Sequence, residues 1–171
     1  MRDPGSPAAG PRPDGRPAGP DRPGAFLNGG FAASFRQDRQ EGTVLEYLNV
    51  IAAGVAAFAF GAVWYSAMSK PWMAASGVTE EQQKAGGPMP FVIGGVGMVL
   101  AAGMMRHIFG MTAIDSAVEG LTAGLGIGAF IVLPWVAMNY AFGQRKGLLT
   151  LIDGVNITVG SGLMGAVLML F

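Results

Sequence analysis

The run Gly120–Gln144, GLTAGLGIGAFIVLPWVAMNYAFGQ, contains no charged side chain. As a helix rising about 1.5 Å per residue, it is long enough to cross a hydrocarbon core of about 30 Å. Gly120, Gly124 and Gly128 recur at steps of four and so share one face. With no Cβ at these positions another helix backbone can come close, which is a main packing device in lipid, where burying more apolar surface gains little. Pro134 removes one backbone hydrogen bond and is expected to kink the helix, and Asn139 places an amide toward its far end. The stretch predicts a membrane-crossing helix over residues 117–142.

Segments on both sides share this character. Upstream, Tyr47 to Ser69, YLNVIAAGVAAFAFGAVWYSAMS, is again uncharged and predicts a helix over 47–69. Ala53, Ala57 and Gly61 give it a small-residue packing face, and Trp64 and Tyr65 near its end are expected to anchor at the headgroup level. Glu46, at the very start, can reach water and favours the positive helix end. A shorter helix over 89–107 offers Gly94, Gly95 and Gly103 as a flat face and ends in Arg106 and His107. Arginine there can snorkel to phosphates, whereas His107 finds no carboxylate at helical spacing along its own helix. After the QRKG connection, residues 148–171 predict the last crossing. The fold class is therefore an all-α membrane protein, a bundle of four transmembrane helices.

Two capping signatures punctuate the connections. Thr79 with Gln82 has the spacing of a capping box, so GVTEEQQKAGG reads as a short helix outside or along the membrane surface, bracketed by Pro71 and Pro88. Ser116 with Glu119 has the same spacing before the third crossing, which accounts for that carboxylate at a helix start. Trp72, beside Lys70, is expected to dip into the interface.

Composition sets the limits. Of 171 residues, 51% are hydrophobic and 13% charged, about half the charge of a soluble domain. The 28 glycines suit packed membrane helices better than soluble ones. Net formal charge is zero, so no bulk electrostatic argument points to nucleic acid. With no cysteine and one histidine, a disulfide, a thiolate nucleophile and a cysteine or histidine metal centre all lack their residues. No catalytic constellation and no cofactor motif emerges, and the expectation is a protein without enzymatic activity. The expected partners are the lipid bilayer and further copies of the same chain.

Residues 1–43 differ from the rest. Proline, glycine, arginine and aspartate dominate, as in PAAGPRPDGRPAGPDRPG, and the expectation is a disordered N-terminal tail. It lacks the apolar run of a secretory signal. Gln40-Glu41-Gly42 can be encoded by a purine-rich run resembling a bacterial ribosome-binding site, so an alternative expectation is that translation starts at Val44. In that case the loops holding Lys70, Lys84, Arg145 and Lys146 carry the positive excess and face the cytoplasm.

GAVWYS at Gly61–Ser66, KPW at Lys70–Trp72 and GVTEEQ at Gly77–Gln82 resemble the opening of a bacterial family catalogued as domain of unknown function 1761. The resemblance extends from about Val44 to Phe171. It implies a small multi-pass protein of the bacterial inner membrane with about this number of helices. The family has no established activity and no assigned catalytic residues, so it implies none for this chain.

One polar feature stands out. Asp153 lies within the last crossing, where a carboxylate is costly unless a partner, water or protonation relieves it. In an antiparallel hairpin centred near Arg145, Asn139 and Asp153 are almost equidistant from the turn, and Asn156 lies one turn deeper on the same face. Asp153, Asn139 and Asn156 are thus the candidate cluster, with Arg145 or Lys146 available to neutralise the acid. Two functions follow. In one, the cluster is an interhelical clasp in a structural or accessory protein; in the other, Asp153 binds a proton, cation or small solute in an oligomeric transporter or channel.

Overall fold

The computed structural model describes the backbone of residues 29–170 and the side chains of residues 44–170. The disorder expected of the tail lies outside the described residues over 1–28. From Gly29 the backbone is helical, in keeping with a segment that is free of proline after Pro23 and rich in helix-forming Ala, Arg, Gln and Glu. The chain divides into two units, Met1–Glu41 and Gly42–Phe171, and the second holds the membrane-length helices.

The elements in order are α1 (Gly29–Ala67), α2 (Ser69–Ser76), α3 (Glu80–Ala85), α4 (Met89–Phe109), α5 (Ala117–Ile127), a π-helical turn (Gly128–Val132), α6 (Leu133–Phe142) and α7 (Gly147–Leu168). Four stretches are long and apolar enough to cross a membrane: Val44–Ala67, Met89–Phe109, Ala117–Phe142 and Gly147–Leu168. The third is α5, the π turn and α6 run together. No strand occurs among the described residues.

The last crossing is the central one. In its most apolar window 44% of residues are buried, against 11–17% in the other three. Glycine makes this possible. A Cβ on Gly120 would meet the Gly165 carbonyl, one on Gly124 the Ser161 carbonyl, and one on Gly128 would lie 2.8 Å from the Thr158 Cα. So α5 lies on α7 backbone to backbone, and α7 returns the fit with Gly162 under Leu125 and Gly154 under Leu133. Each step of about four residues forward along α5 is matched by a similar step back along α7, which makes the pair antiparallel.

The first crossing packs on both α4 and α7. Gly54 sits against Val99, Phe58 against Gly94 and Val50 against Gly103. Gly95, expected on that flat face, has nothing within 4 Å of its Cβ position. Toward α7, Ala57 faces Gly160 and Gly61 faces Asn156. Ala53 and Ala57 are buried with Ala102, Met105, Phe109, Met164 and Leu168 in the core.

Pro134 produces a widened turn rather than a break. The Leu133 N–H reaches back five residues to the Gly128 carbonyl, so the π turn falls just before the residue that has no N–H to donate. Both predicted capping boxes form, Thr79 with Gln82 ahead of α3 and Ser116 with Glu119 ahead of α5. The connection after α1 contains an additional helix, α2, because Pro71 falls within its first turn, where proline is tolerated. It ends at Gly77 in the left-handed region, φ 78°.

Candidate functional site

The hairpin between α6 and α7 is closed by main-chain bonds. Gln144 takes a left-handed conformation, φ 53°, which lets the Arg145 N–H bond to the Tyr140 carbonyl at 2.9 Å. Thus the residue whose carbonyl closes the turn also starts the site, because the Tyr140 side chain runs from α6 toward α7. Its hydroxyl donates to Asp153 Oδ2 at 2.6 Å.

From the opposite side α1 supplies the second donor. The Tyr65 hydroxyl donates to Asp153 Oδ1 at 2.8 Å, and its neighbour Trp64 donates its indole N–H to the Ile152 carbonyl at 2.9 Å. Consecutive positions on one helix therefore grip consecutive positions on another. Trp64 lies near Phe60, 6.3 Å between ring centroids, and Trp72 of α2 meets Tyr65 edge-on at 6.2 Å. Asn156 lies beside Tyr65, and its Oδ1 is buried against Gly61.

Asp153 itself is 7% exposed. Each of its oxygens accepts from a tyrosine hydroxyl at a length normal for a strong O–H···O bond. A carboxylate ringed by donors from α1 and α6 ties three helices at one level of the bundle. This is what a clasp needs, since a polar group in hydrocarbon is costly until it is paired.

The expected cluster is redrawn in two places. Asn139 lies exposed on α6, and Tyr140 occupies the place facing Asp153. Equal distance from the turn fixes the level of two residues but not their rotation, and one position along a helix turns a side chain by about 100°. Arg145 and Lys146 also point elsewhere: Arg145 donates to the Ser76 carbonyl at 3.3 Å and Lys146 to the Ala74 carbonyl at 2.6 Å. They bind the carbonyl-rich end of α2, where a helix favours positive charge. Trp64 and Tyr65, expected as interface anchors, are half-buried and turned toward α7.

Sequence reasoning also passed over Asn49. Its amide donates to the Leu168 carbonyl at 2.8 Å, and the side chain is buried. The signal was available, because Asn49 is the one amide in the apolar run of the first crossing. At the other end of the same helix pair, Trp64 does the matching work on Ile152.

Among the described residues, no group of three or more His, Asp or Glu side chains converges on a common point where a metal ion could be held. Two cavities among the described residues bear on the site. One, of about 870 Å³, is lined by Glu46, Arg106, His107 and Asp115 among others; the second, of about 510 Å³, is an apolar groove along α7 beside Leu133 and Gly154. Asp153 lines neither.

No curated protein matches the chain, and no solved structure does. A family model does match over residues 48–169, which takes in every element of the clasp. The chain belongs to the family described as Protein of unknown function (DUF1761).

Proposed function

We propose that this is a structural or accessory integral membrane protein of the bacterial inner membrane, in which Asp153 serves as an interhelical clasp. The observation that carries this reading is the pair of tyrosine hydroxyls, from α1 and α6, that fill both carboxylate oxygens of a buried residue on α7. Groups so engaged are poorly placed to exchange a proton or cation. A transport role for Asp153 needs a wet path to it, whereas the residue is buried and lines neither of the cavities described above.

Two substitutions at Asp153 test the reading. Asparagine keeps one acceptor oxygen and can donate its amide to the other tyrosine, so Asp153→Asn should insert and fold with a loss of about 1 kcal/mol or less. Leucine leaves both hydroxyls without an acceptor, so Asp153→Leu should lose about 1–3 kcal/mol more. Wild-type protein in liposomes should pass protons and alkali cations no faster than protein-free vesicles. A flux that Asp153→Asn abolishes while leaving the fold intact would overturn the proposal.

A further inference from the structure

At the opposite end of the bundle from the clasp, the cavity of about 870 Å³ gathers charge from three crossings. Glu46 belongs to the start of the first span, Arg106 and His107 to the last turn of the second, and Asp115 to the approach to the third. Met169, just past the end of α7, also lines it. All of these sit at span ends, which is the level of lipid headgroups. Along its own helix His107 has no carboxylate at helical spacing, yet the fold brings Glu46 and Asp115 into the same cavity.

The charges are mixed, and the mixture is informative. Arg106 meets Glu46 at 3.5 Å, long for a guanidinium–carboxylate bond, which is usually about 2.8 Å. Both side chains are solvent-accessible, so the pair is loose and its donors and acceptors are open to a ligand. An anion alone would suit Arg106 and His107 but face two carboxylates. A cation alone would suit Glu46 and Asp115 but face Arg106. A group carrying both a phosphate and a primary ammonium satisfies the two sets together, with the ammonium N–H donors on carboxylate oxygens and the phosphate on the guanidinium. Val50, Phe109, Ile114 and Met169 line the same cavity and give it apolar surface for the start of an acyl chain.

We infer that this cavity binds the headgroup of a phospholipid bearing a phosphate and a primary ammonium, the phosphoethanolamine type. Arg106 holds the phosphate, and Glu46 with Asp115 holds the ammonium.

The test is native mass spectrometry of the full chain, released from micelles containing equal amounts of phosphatidylethanolamine, phosphatidylcholine and phosphatidylglycerol with the same acyl chains. The ethanolamine lipid should be retained at least about fivefold over the other two, a preference of about 1 kcal/mol. Glu46→Gln should erase the preference over phosphatidylcholine, and Arg106→Gln should weaken retention of ethanolamine and choline lipids alike. Free phosphoethanolamine at the same concentration should leave the lipid in place. Equal retention of all three lipids by the wild-type chain would overturn the inference, as would a preference for phosphatidylglycerol. Displacement by free phosphoethanolamine would overturn the lipid as occupant.

Discussion

Gly120 on α5 and Gly165 on α7 face each other so closely that a Cβ on either would collide with the main-chain carbonyl of the other. The contact is mutual, and neither partner is a side chain that can swing away. It continues one turn on, where Gly124 meets the Ser161 carbonyl, and again where Gly128 meets Thr158.

Alanine at these positions should therefore force the helices apart. Gly124→Ala or Gly165→Ala should cost about 1–3 kcal/mol, read by thermal unfolding in detergent micelles. Gly126→Ala is the control, since nothing lies within 4 Å of its Cβ position. That change should be neutral or stabilising by up to about 1 kcal/mol, through better helix propensity. Equal losses at Gly124 and Gly126 would contradict close packing as the cause.

The two tyrosines should contribute comparably and through the same partner. Tyr65→Phe and Tyr140→Phe each remove one bond to Asp153 and should each cost about 0.5–1.5 kcal/mol. In a double-mutant cycle, Tyr65→Phe with Asp153→Leu, which removes the acceptor altogether, should show a coupling of about 0.5–1.5 kcal/mol. A coupling of zero would mean the hydrogen bond does not hold the helices.

Asn49 makes a sharper case for the far end of α7. The last four carbonyls of a helix have no intrahelical donor, and Leu168 ends α7. Asn49→Ala withdraws the amide from that carbonyl, so the last turn of α7 should exchange its amide hydrogens faster while the Asp153 level stays protected. Trp64→Phe should have a milder effect, because the Ile152 carbonyl lies inside the helix and keeps its intrahelical donor.

The two capping boxes should behave differently despite equal chemistry. Ser116 starts a helix that packs on α7, so Ser116→Ala should lower global stability by about 1 kcal/mol. Thr79 starts α3, which has no buried residue. Thr79→Ala should unwind α3 locally, as seen by hydrogen exchange, and leave the unfolding temperature unchanged.

The parts legible in the sequence were those set by local chemistry. Charge-free runs marked the crossings, and the S-x-x-E and T-x-x-Q spacings marked the caps. Asp153 was visible as an ionisable group in an apolar run. Its partners were not, because they depend on helix rotation. Hairpin arithmetic reached Asn139 and missed Tyr140 by one position, and a lone sequence gives no way to set the phase of α1 against α7. Arg145 and Lys146 were misassigned for a related reason: the carbonyls they bind belong to α2, a helix hidden behind Pro71 in the sequence reading.

Access of water to the Asp153 level is the most direct test of the clasp. The chain has no cysteine, so a single introduced thiol reports alone. Asn156→Cys places that thiol beside Tyr65, one turn along α7 from Asp153, and Gln83→Cys, on α3 outside the four spans, supplies an exposed control. In nanodiscs treated with a water-soluble, membrane-impermeant maleimide, Gln83→Cys should react in the native protein, whereas Asn156→Cys should react only after denaturation. Native labelling of Asn156→Cys at a rate approaching that of Gln83→Cys would show a wet site and contradict the structural account.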